Sequence, residues 1–291
     1  MSAQIIDGKA VSQIMKEQLR QQVAALPSPP GLATVLVGDD PASQSYIRSK
    51  HKLCADVGMR SLHHQMSAGA SQAEVEAVIV QLAADPGVHG ILIQLPLPAH
   101  LDEECILSRV PLEKDVDGFH PVNVGRLAMK GRQPAFVPCT PAGCMRLLQH
   151  YKIPVSGARA VVVGRSNIVG LPMALLLNHA DATVTLVHSR TKDMHEHLNR
   201  ADIVVAAIGK ANFIVGSQLK PGCCVIDVGI NRTPNGLVGD VDFASAREVA
   251  AWITPVPGGV GPMTLVMLME NTLRAAQKSL LGRELQPGIS G

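Results

Sequence analysis

Ala160-Val161-Val162-Val163-Gly164-Arg165-Ser166-Asn167-Ile168-Val169-Gly170-Leu171-Pro172-Met173 is the stretch that decides the fold class of this chain. Four small aliphatic residues in a row, without polar alternation, suit a strand covered on both faces. Gly164 ends the run, and a residue without a Cβ lets the backbone turn tightly there. Pro172 then stands at an early helical position, where its missing N–H costs nothing. A helix that opens after such a turn offers free N–H groups and the positive end of its dipole, both favourable to a phosphate. The strict G-x-G-x-x-G spacing is absent, because Arg165 and Ser166 follow the first glycine. Taken alone, the turn also fits a plain strand-to-helix connection.

The next strand, expected at Thr183–Val187, makes the reading more specific. Units that bind NAD usually end this strand in Asp or Glu, which accepts hydrogen bonds from the ribose hydroxyls. Here His188-Ser189-Arg190 follows, and no acid appears until Asp193. A carboxylate repels a 2′-phosphate, whereas a hydroxyl and a guanidinium bind one. Arg165 offers a second cation from the first turn. The pattern favours NADP over NAD.

Outward from this unit, 291 residues suggest two domains. Hydrophobic residues make up 46% and aromatics 2%, so the cores must be aliphatic, as α/β layers allow. The net charge of +2 is dispersed and aromatics are scarce, which disfavours nucleic acid as a partner. Six cysteines without a C-x-x-C pair read as inert thiols of a reducing compartment. Gln4, Asp7 and Lys9 lie where a signal peptide would be apolar, so a cytoplasmic location is expected. Val249–Met269 carries no charge and is long enough for a membrane span. Its clustered prolines and glycines divide it into strand, loop and helix, so no membrane association is expected.

Helices are expected at 9–25, about 42–57, from Ser71 with Glu74 as a capping box, near 103–109, 141–150, 170–179, 193–199 and 263–278. Strands are expected at 32–37, 89–95, 159–163, 183–187, 203–206, 223–228 and 252–254. Residues 111–138 are rich in Pro, Gly and charge and read as the crossing between domains. The whole is an α/β chain with two alternating units.

Several polar residues stand out in the first unit. Tyr46 and Lys50, at i and i+4, share one helical face. On their own they read more readily as a ring packed on a lysine stem than as a proton-transfer pair. Gln94 ends a strand, where ligand-binding residues gather in open α/β sheets. Asp115 and Asp117 flank Val116 before Gly118 and also fit an ordinary turn. Pro255-Val256-Pro257-Gly258-Gly259-Val260-Gly261-Pro262-Met263-Thr264 forms a rigid loop whose bare backbone suits a wall against a ligand. His63-His64 and His195/His197 lack the companion ligands of a metal site, and no metal is expected.

Tyr46-x-x-x-Lys50, Gln94-Leu95-Pro96-Leu97-Pro98, Lys114-Asp115-Val116-Asp117-Gly118, the Gly164–Pro172 turn and the Pro255–Thr264 loop occur in this order. In these five motifs, over about residues 4–280, the chain resembles the bifunctional methylenetetrahydrofolate dehydrogenase/methenyltetrahydrofolate cyclohydrolase family. The resemblance implies an N-terminal α/β substrate domain, residues 1–118, rejoined by the C-terminal helix 264–291. It implies a Rossmann-like NADP-binding domain at 119–263, a cleft between the two, and a homodimer joined through the cofactor domains. The implied activity is oxidation of 5,10-methylenetetrahydrofolate by NADP⁺, then hydrolysis of the 5,10-methenyl product to 10-formyltetrahydrofolate.

Carried over by position, Lys50 is the central catalytic residue, aided by Gln94, with Tyr46 orienting the folate and Asp117 binding the pterin edge. Pro257, Gly258, Gly259 and Val260 line the substrate site. Gly164, Arg165, Ser166, Ser189, Arg190 and Ile230 contact the cofactor. A dehydrogenase alone would not need Tyr46, Lys50 and Gln94 together. A dinucleotide sensor would need no lysine, glutamine and aspartate for a second ligand. A quinate- or shikimate-type dehydrogenase would carry a different pattern from Asp-Val-Asp-Gly.

Overall fold

The computed structural model describes residues 2–234 and 236–282. In chain order the elements are β1 (Gln4–Ile5), α1 (Gly8–Ala24), β2 (Gly31–Val37), α2 (Pro41–Val57), β3 (Arg60–Met66), α3 (Gln72–Ala84) and β4 (Gly90–Ile93). Next come α4 (Glu103–Arg109), α5 (Pro121–Leu127), α6 (Cys139–His150), β5 (Arg159–Val163), α7 (Gly170–His179), β6 (Thr183–Val187) and α8 (Met194–Leu198). The remainder is β7 (Ile203–Ala206), β8 (Cys224–Asp227), β9 (Asn231–Thr233), β10 (Gly236–Val238), α9 (Phe243–Arg247), β11 (Trp252–Ile253) and α10 (Val260–Leu281).

The chain forms two compact units. Among the described residues, one comprises Ile14–Val137 and residues 265–282; the other comprises residues 2–13 and Pro138–Thr264. The first unit holds a three-stranded parallel sheet in the order β3-β2-β4. β2 is central and every one of its residues is buried, as its sequence, apolar but for Thr34, requires. Val75, Ile79 and Leu82 of α3 pack on this sheet together with Ile106 and Val110. α2 starts at the N-cap Asp40, whose carboxylate accepts from Ser43 N at 2.7 Å, with Pro41 in the first turn. It stops at Gly58, which adopts φ 81°, a conformation that favours glycine. The expected capping box of α3 is present: Ser71 Oγ accepts from Glu74 N, and the Glu74 carboxylate accepts from Ser71 N.

The second unit holds a six-stranded sheet in the order β1-β11-β8-β7-β5-β6, parallel throughout. The path β5-α7-β6 runs to one side, and β7 then returns to the other side of β5. The strand order therefore reverses at β5/β7, the position where open α/β sheets bind ligands beyond the carboxyl ends of their strands. The order β3-β2-β4 creates the same kind of reversal at β2/β4 in the first unit.

The compact units divide the chain at other points than the sequence boundaries at 118/119 and 263/264. Residues 119–137 belong with 14–118, because α5 buries Asn123 and Leu127 and Phe136 is fully enclosed. All of the segment 111–138 but Pro138 is thus a folded part of the first unit. The N-terminal residues pair with the other unit, where β1 adds an edge strand to β11. Residues 283–291 of the expected C-terminal segment lie outside the described residues.

Four strands were not expected. β1 is only two residues long and carries no periodic signal of its own. β3 is an edge strand, and in Arg60-Ser61-Leu62-His63-His64-Gln65-Met66 only Leu62 and Met66 reach the core. β9 and β10 form a three-residue-deep antiparallel hairpin, too short for a periodic signal. The uncharged stretch 249–269 divides into β11, a loop and the start of α10. Among the described residues no helix is long and apolar enough to cross a membrane.

Candidate active site

The first unit gathers its polar machinery at the β2/β4 reversal. Gln94 follows β4 directly, and its backbone N still donates to Val35 O of β2 at 2.9 Å. Its side-chain amide is tied at both ends. Nε2 donates to Leu95 O at 2.7 Å, which turns Oε1 toward Lys50, and Lys50 Nζ donates to Oε1 at 2.8 Å. Lys50 is only 5% exposed, so its ammonium is held among protein groups rather than in bulk water. Nζ lies 5.2 Å from the centroid of the Tyr46 ring, one helical turn back, within cation–π range. The i, i+4 pair thus combines both of its readings: the ring packs beside the lysine, and the lysine head is directed at a third group.

Asp117 sits half-buried on a loop that Asp115 organises. The Asp115 carboxylate is buried and accepts from Phe119 N at 3.2 Å, His120 N at 2.9 Å and Asn123 Nδ2 at 2.6 Å. Burial pushes its pKa up to about 7, against the lowering effect of its hydrogen bonds to Asn123, His120 and Phe119; the nearby Asp117 adds to the rise. Asn123 passes the connection on, its Oδ1 accepting from Ala135 N at 2.8 Å. Of the two aspartates that flank Val116, Asp115 is therefore the one that builds the loop.

In the second unit Gly164 turns at φ 120°, and a Cβ there would stand 2.0 Å from Ala207 O. A Cβ on Gly170 would meet Gly164 O at 2.2 Å. Only glycine fits either position, so the backbone closes tightly between β5 and the start of α7. In the turn before this helix Ser166 Oγ accepts from Val169 N at 3.2 Å and Gly170 N at 3.3 Å, leaving its own proton available to a ligand. Val163 and Val187 are register partners at the ends of β5 and β6. The turn with Arg165 and the turn with Ser189 and Arg190 therefore emerge side by side, and all three residues are exposed. The second turn is closed by Thr191 N donating to His188 O at 2.8 Å. A glycine cradle, a helix N-terminus and two exposed guanidiniums without a carboxylate between them suit a dinucleotide that carries an extra phosphate.

Pro257, Gly258, Gly259 and Val260 line a recess of about 120 Å³ with Gly229 and the exposed Ile230. Part of the glycine content here serves chain packing rather than ligand approach. A Cβ on Gly259 would meet Pro255 O at 2.6 Å, and one on Gly8 would meet Gly259 O at 1.8 Å. Lys9 N donates to Gly258 O at 2.9 Å.

The sequence matches the family described as tetrahydrofolate dehydrogenase/cyclohydrolase over both of its parts, the catalytic domain at residues 6–117 and the NAD(P)-binding domain at residues 138–280. The chain belongs to this family. It is 55% identical over 282 residues to the bifunctional protein FolD of Dechloromonas aromatica, covering 96% of this chain and 99% of that protein. Among solved structures, the bifunctional FolD enzyme of Campylobacter jejuni superposes with a TM-score of 0.92 at 46% identity, over 95% of this chain and 99% of that one. The Trypanosoma brucei methylenetetrahydrofolate dehydrogenase-cyclohydrolase, solved with NADP cofactor and an inhibitor, also gives 0.92, at 42% identity over 96% and 99% of the two chains.

Within this family fold, two buried acids escaped the sequence reading. Asp227 ends β8 and is 3% exposed; its Oδ1 accepts from Gly229 N and Asp240 N and its Oδ2 from Val241 N, each at 2.9 Å. Burial raises its pKa to about 6, opposed by those three N–H donors and assisted by the neighbouring Asp240. The available signal was a carboxylate closing the apolar run Cys224-Val225-Ile226, with a Gly-Asp pair at 239–240. Among the described residues no group of three or more His, Cys, Asp or Glu side chains is arranged to hold a metal. His63 instead meets Thr34 Oγ1 at 3.2 Å and the His51 ring at 5.3 Å between centroids.

Proposed function

We propose that this chain oxidises 5,10-methylenetetrahydrofolate with NADP⁺ and then hydrolyses the 5,10-methenyl product to 10-formyltetrahydrofolate. The observation that carries this reading is Lys50, held by Gln94 beside the Tyr46 ring within the family's catalytic domain. A dehydrogenase step alone gives such a lysine little to do. When bound, NADP⁺ supplies the acceptor for the hydride of the first step.

The chain's own residues account for the rest. The methylene carbon lies between two nitrogens, so loss of hydride leaves a delocalised cation, and geometry matters more than proton transfer. Asp117 accepts hydrogen bonds from the amino-pyrimidine edge of the pterin, and Tyr46 orients it. Hydrolysis differs. Water oxygen adds to the methenyl carbon, loses protons, and the carbon–N5 bond breaks as N5 gains one. The Lys50 ammonium gives a proton to the departing nitrogen and, as the amine so formed, takes one back from that oxygen, while the second proton of the water passes to solvent as the formyl C=O forms. Gln94 keeps Nζ aimed during both transfers.

In the cofactor-binding domain, Gly164 and Ser166 receive the pyrophosphate with the α7 N-terminus, and Arg165 reaches from the same turn toward the 2′-phosphate. Ser189 and Arg190 receive the 2′-phosphate, and Ile230 contacts the cofactor. Pro257, Gly258, Gly259 and Val260 contribute a rigid backbone wall on the substrate side. We also assign a cytoplasmic homodimer joined through this domain; the free cysteines, five of them buried, accord with a reducing compartment.

The test is incubation of the full chain with 5,10-methylenetetrahydrofolate and either NADP⁺ or NAD⁺. NADPH and 10-formyl product in equal final amounts, with higher kcat/KM for NADP⁺, support the reading. NADPH that stops at the methenyl species would leave a dehydrogenase alone.

A further inference from the structure

The loop after β7, residues 207–210, forms one wall of the β5/β7 reversal, since a Cβ on Gly164 would strike Ala207 O. Little of its own chain holds this wall in place: Ala207 N pairs with Val163 O, and beyond it Gly209 and Lys210 are exposed. The next three backbone donors converge on one side chain. Asp240 Oδ2 accepts from Ile208 N at 2.6 Å and Gly209 N at 2.9 Å, and Oδ1 accepts from Lys210 N at 2.9 Å. The same Oδ1 accepts from Asn231 Nδ2 at 2.9 Å, which ties in the segment after β8.

Asp240 is fully buried, and its own N–H is held by Asp227 Oδ1. The backbone fits closely around both acids. A Cβ on Gly229 would lie 2.2 Å from Asp240 Oδ1, and one on Gly239 would lie 1.8 Å from Asp227 Oδ2. Three separate loop segments at the carboxyl edge of the sheet are thus set against one another by two carboxylates. Hydrogen bonds to a charged acceptor are stronger than neutral ones, and a buried carboxylate that lost them would be costly.

We propose that Asp240, supported by Asp227, is the positioning residue of the cofactor half of the reaction, setting the 207–210 wall and the 228–231 segment that carries Ile230. It acts through these loops and touches no ligand itself. The inference rests on the cofactor assignment proposed above.

Asp240→Asn is the informative change. Either amide orientation places an NH₂ group against two existing donors, so two of the four hydrogen bonds are lost while size is kept. The full-length variant should bind NADP⁺ at least roughly tenfold more weakly by calorimetry, with a matching rise in KM. Hydrolysis of directly supplied 5,10-methenyltetrahydrofolate, which needs no cofactor, should stay within about twofold of the parent under the same reasoning. Asn231→Ala, which frees only one partner, should show the same split at smaller size and serves if the first variant does not fold. Unchanged NADP⁺ binding in the variants overturns the proposal, as does an equal fall in both activities, which would mark a general structural role. A parent protein that bound no NADP⁺ would instead overturn the cofactor assignment itself.

Discussion

Replacing Lys50 by Met separates the two reactions. The side chain is 5% exposed, and Met keeps most of its apolar stem, so no large cavity opens. What disappears is the ammonium and its 2.8 Å bond to Gln94 Oε1. An acceptor left without that donor costs about 1–3 kcal/mol of stability, small enough for the variant to remain folded. Hydride transfer creates a delocalised cation and should fall modestly. Hydrolysis loses its proton carrier and should fall roughly 10²–10⁴-fold, the usual worth of general acid–base help. The variant should therefore release the methenyl species. A single time course recording NADPH, methenyl and formyl species together reads all of this. Hydrolysis that kept pace with the parent would remove Lys50 from proton transfer. An equal fall in both activities would make it a residue that places the folate for both steps.

Arg190→Ala, and to a lesser degree Arg165→Ala, should narrow the preference for NADP⁺ over NAD⁺, by roughly 10- to 150-fold if one charged hydrogen bond to phosphate is lost; the ratio of kcat/KM values measures it. Asp117→Ala should weaken folate binding by roughly tenfold or more and lower both activities while NADP⁺ affinity holds, as parallel titrations would show. His89 should give stability a pH dependence. It is 4% exposed, its Nδ1 accepts from Gly31 N at 3.0 Å, and burial, with Lys114 and Arg60 nearby, lowers its pKa. The unfolded chain then binds the proton more readily, so the stabilising effect of neutral His89 is present above the ordinary value of 6.5 and is lost as pH falls below it. The Tm difference between parent and His89→Gln should shrink as pH drops below that value; a constant difference would contradict this.

Much of the fold was readable because its central strands are buried on both faces. Val161-Val162-Val163 and Leu32–Val37 admit no polar residue but Thr34, and their apolar runs mark them. Edge elements carry weaker marks: β3 presents Ser61, His63 and Gln65 on the side away from Leu62 and Met66, so its alternation is blurred by His64. α5 was hidden in a Pro- and Gly-rich stretch because one of its buried residues is the polar Asn123, which its hydrogen bonds to Asp115 and Ala135 make tolerable there. Tyr46 and Lys50 could be paired from helical spacing, whereas Lys50 and Gln94 lie 44 residues apart and meet only through the parallel β2/β4 pairing. The same holds for Asp240, whose backbone partners at 208–210 are brought to it by the sheet rather than by any local pattern.

The most direct test of the account is a crystal structure of the full chain with NADP⁺ and a non-reactive folate analogue. The account expects the pyrophosphate on Gly164–Ser166, the 2′-phosphate within hydrogen-bond reach of Ser189 or Arg190, and the pterin edge on Asp117. It expects the one-carbon position within reach of Lys50 Nζ, directly or through one water. A folate bound with that position away from Lys50, or a 2′-phosphate that meets neither Ser189 nor an arginine, would contradict it.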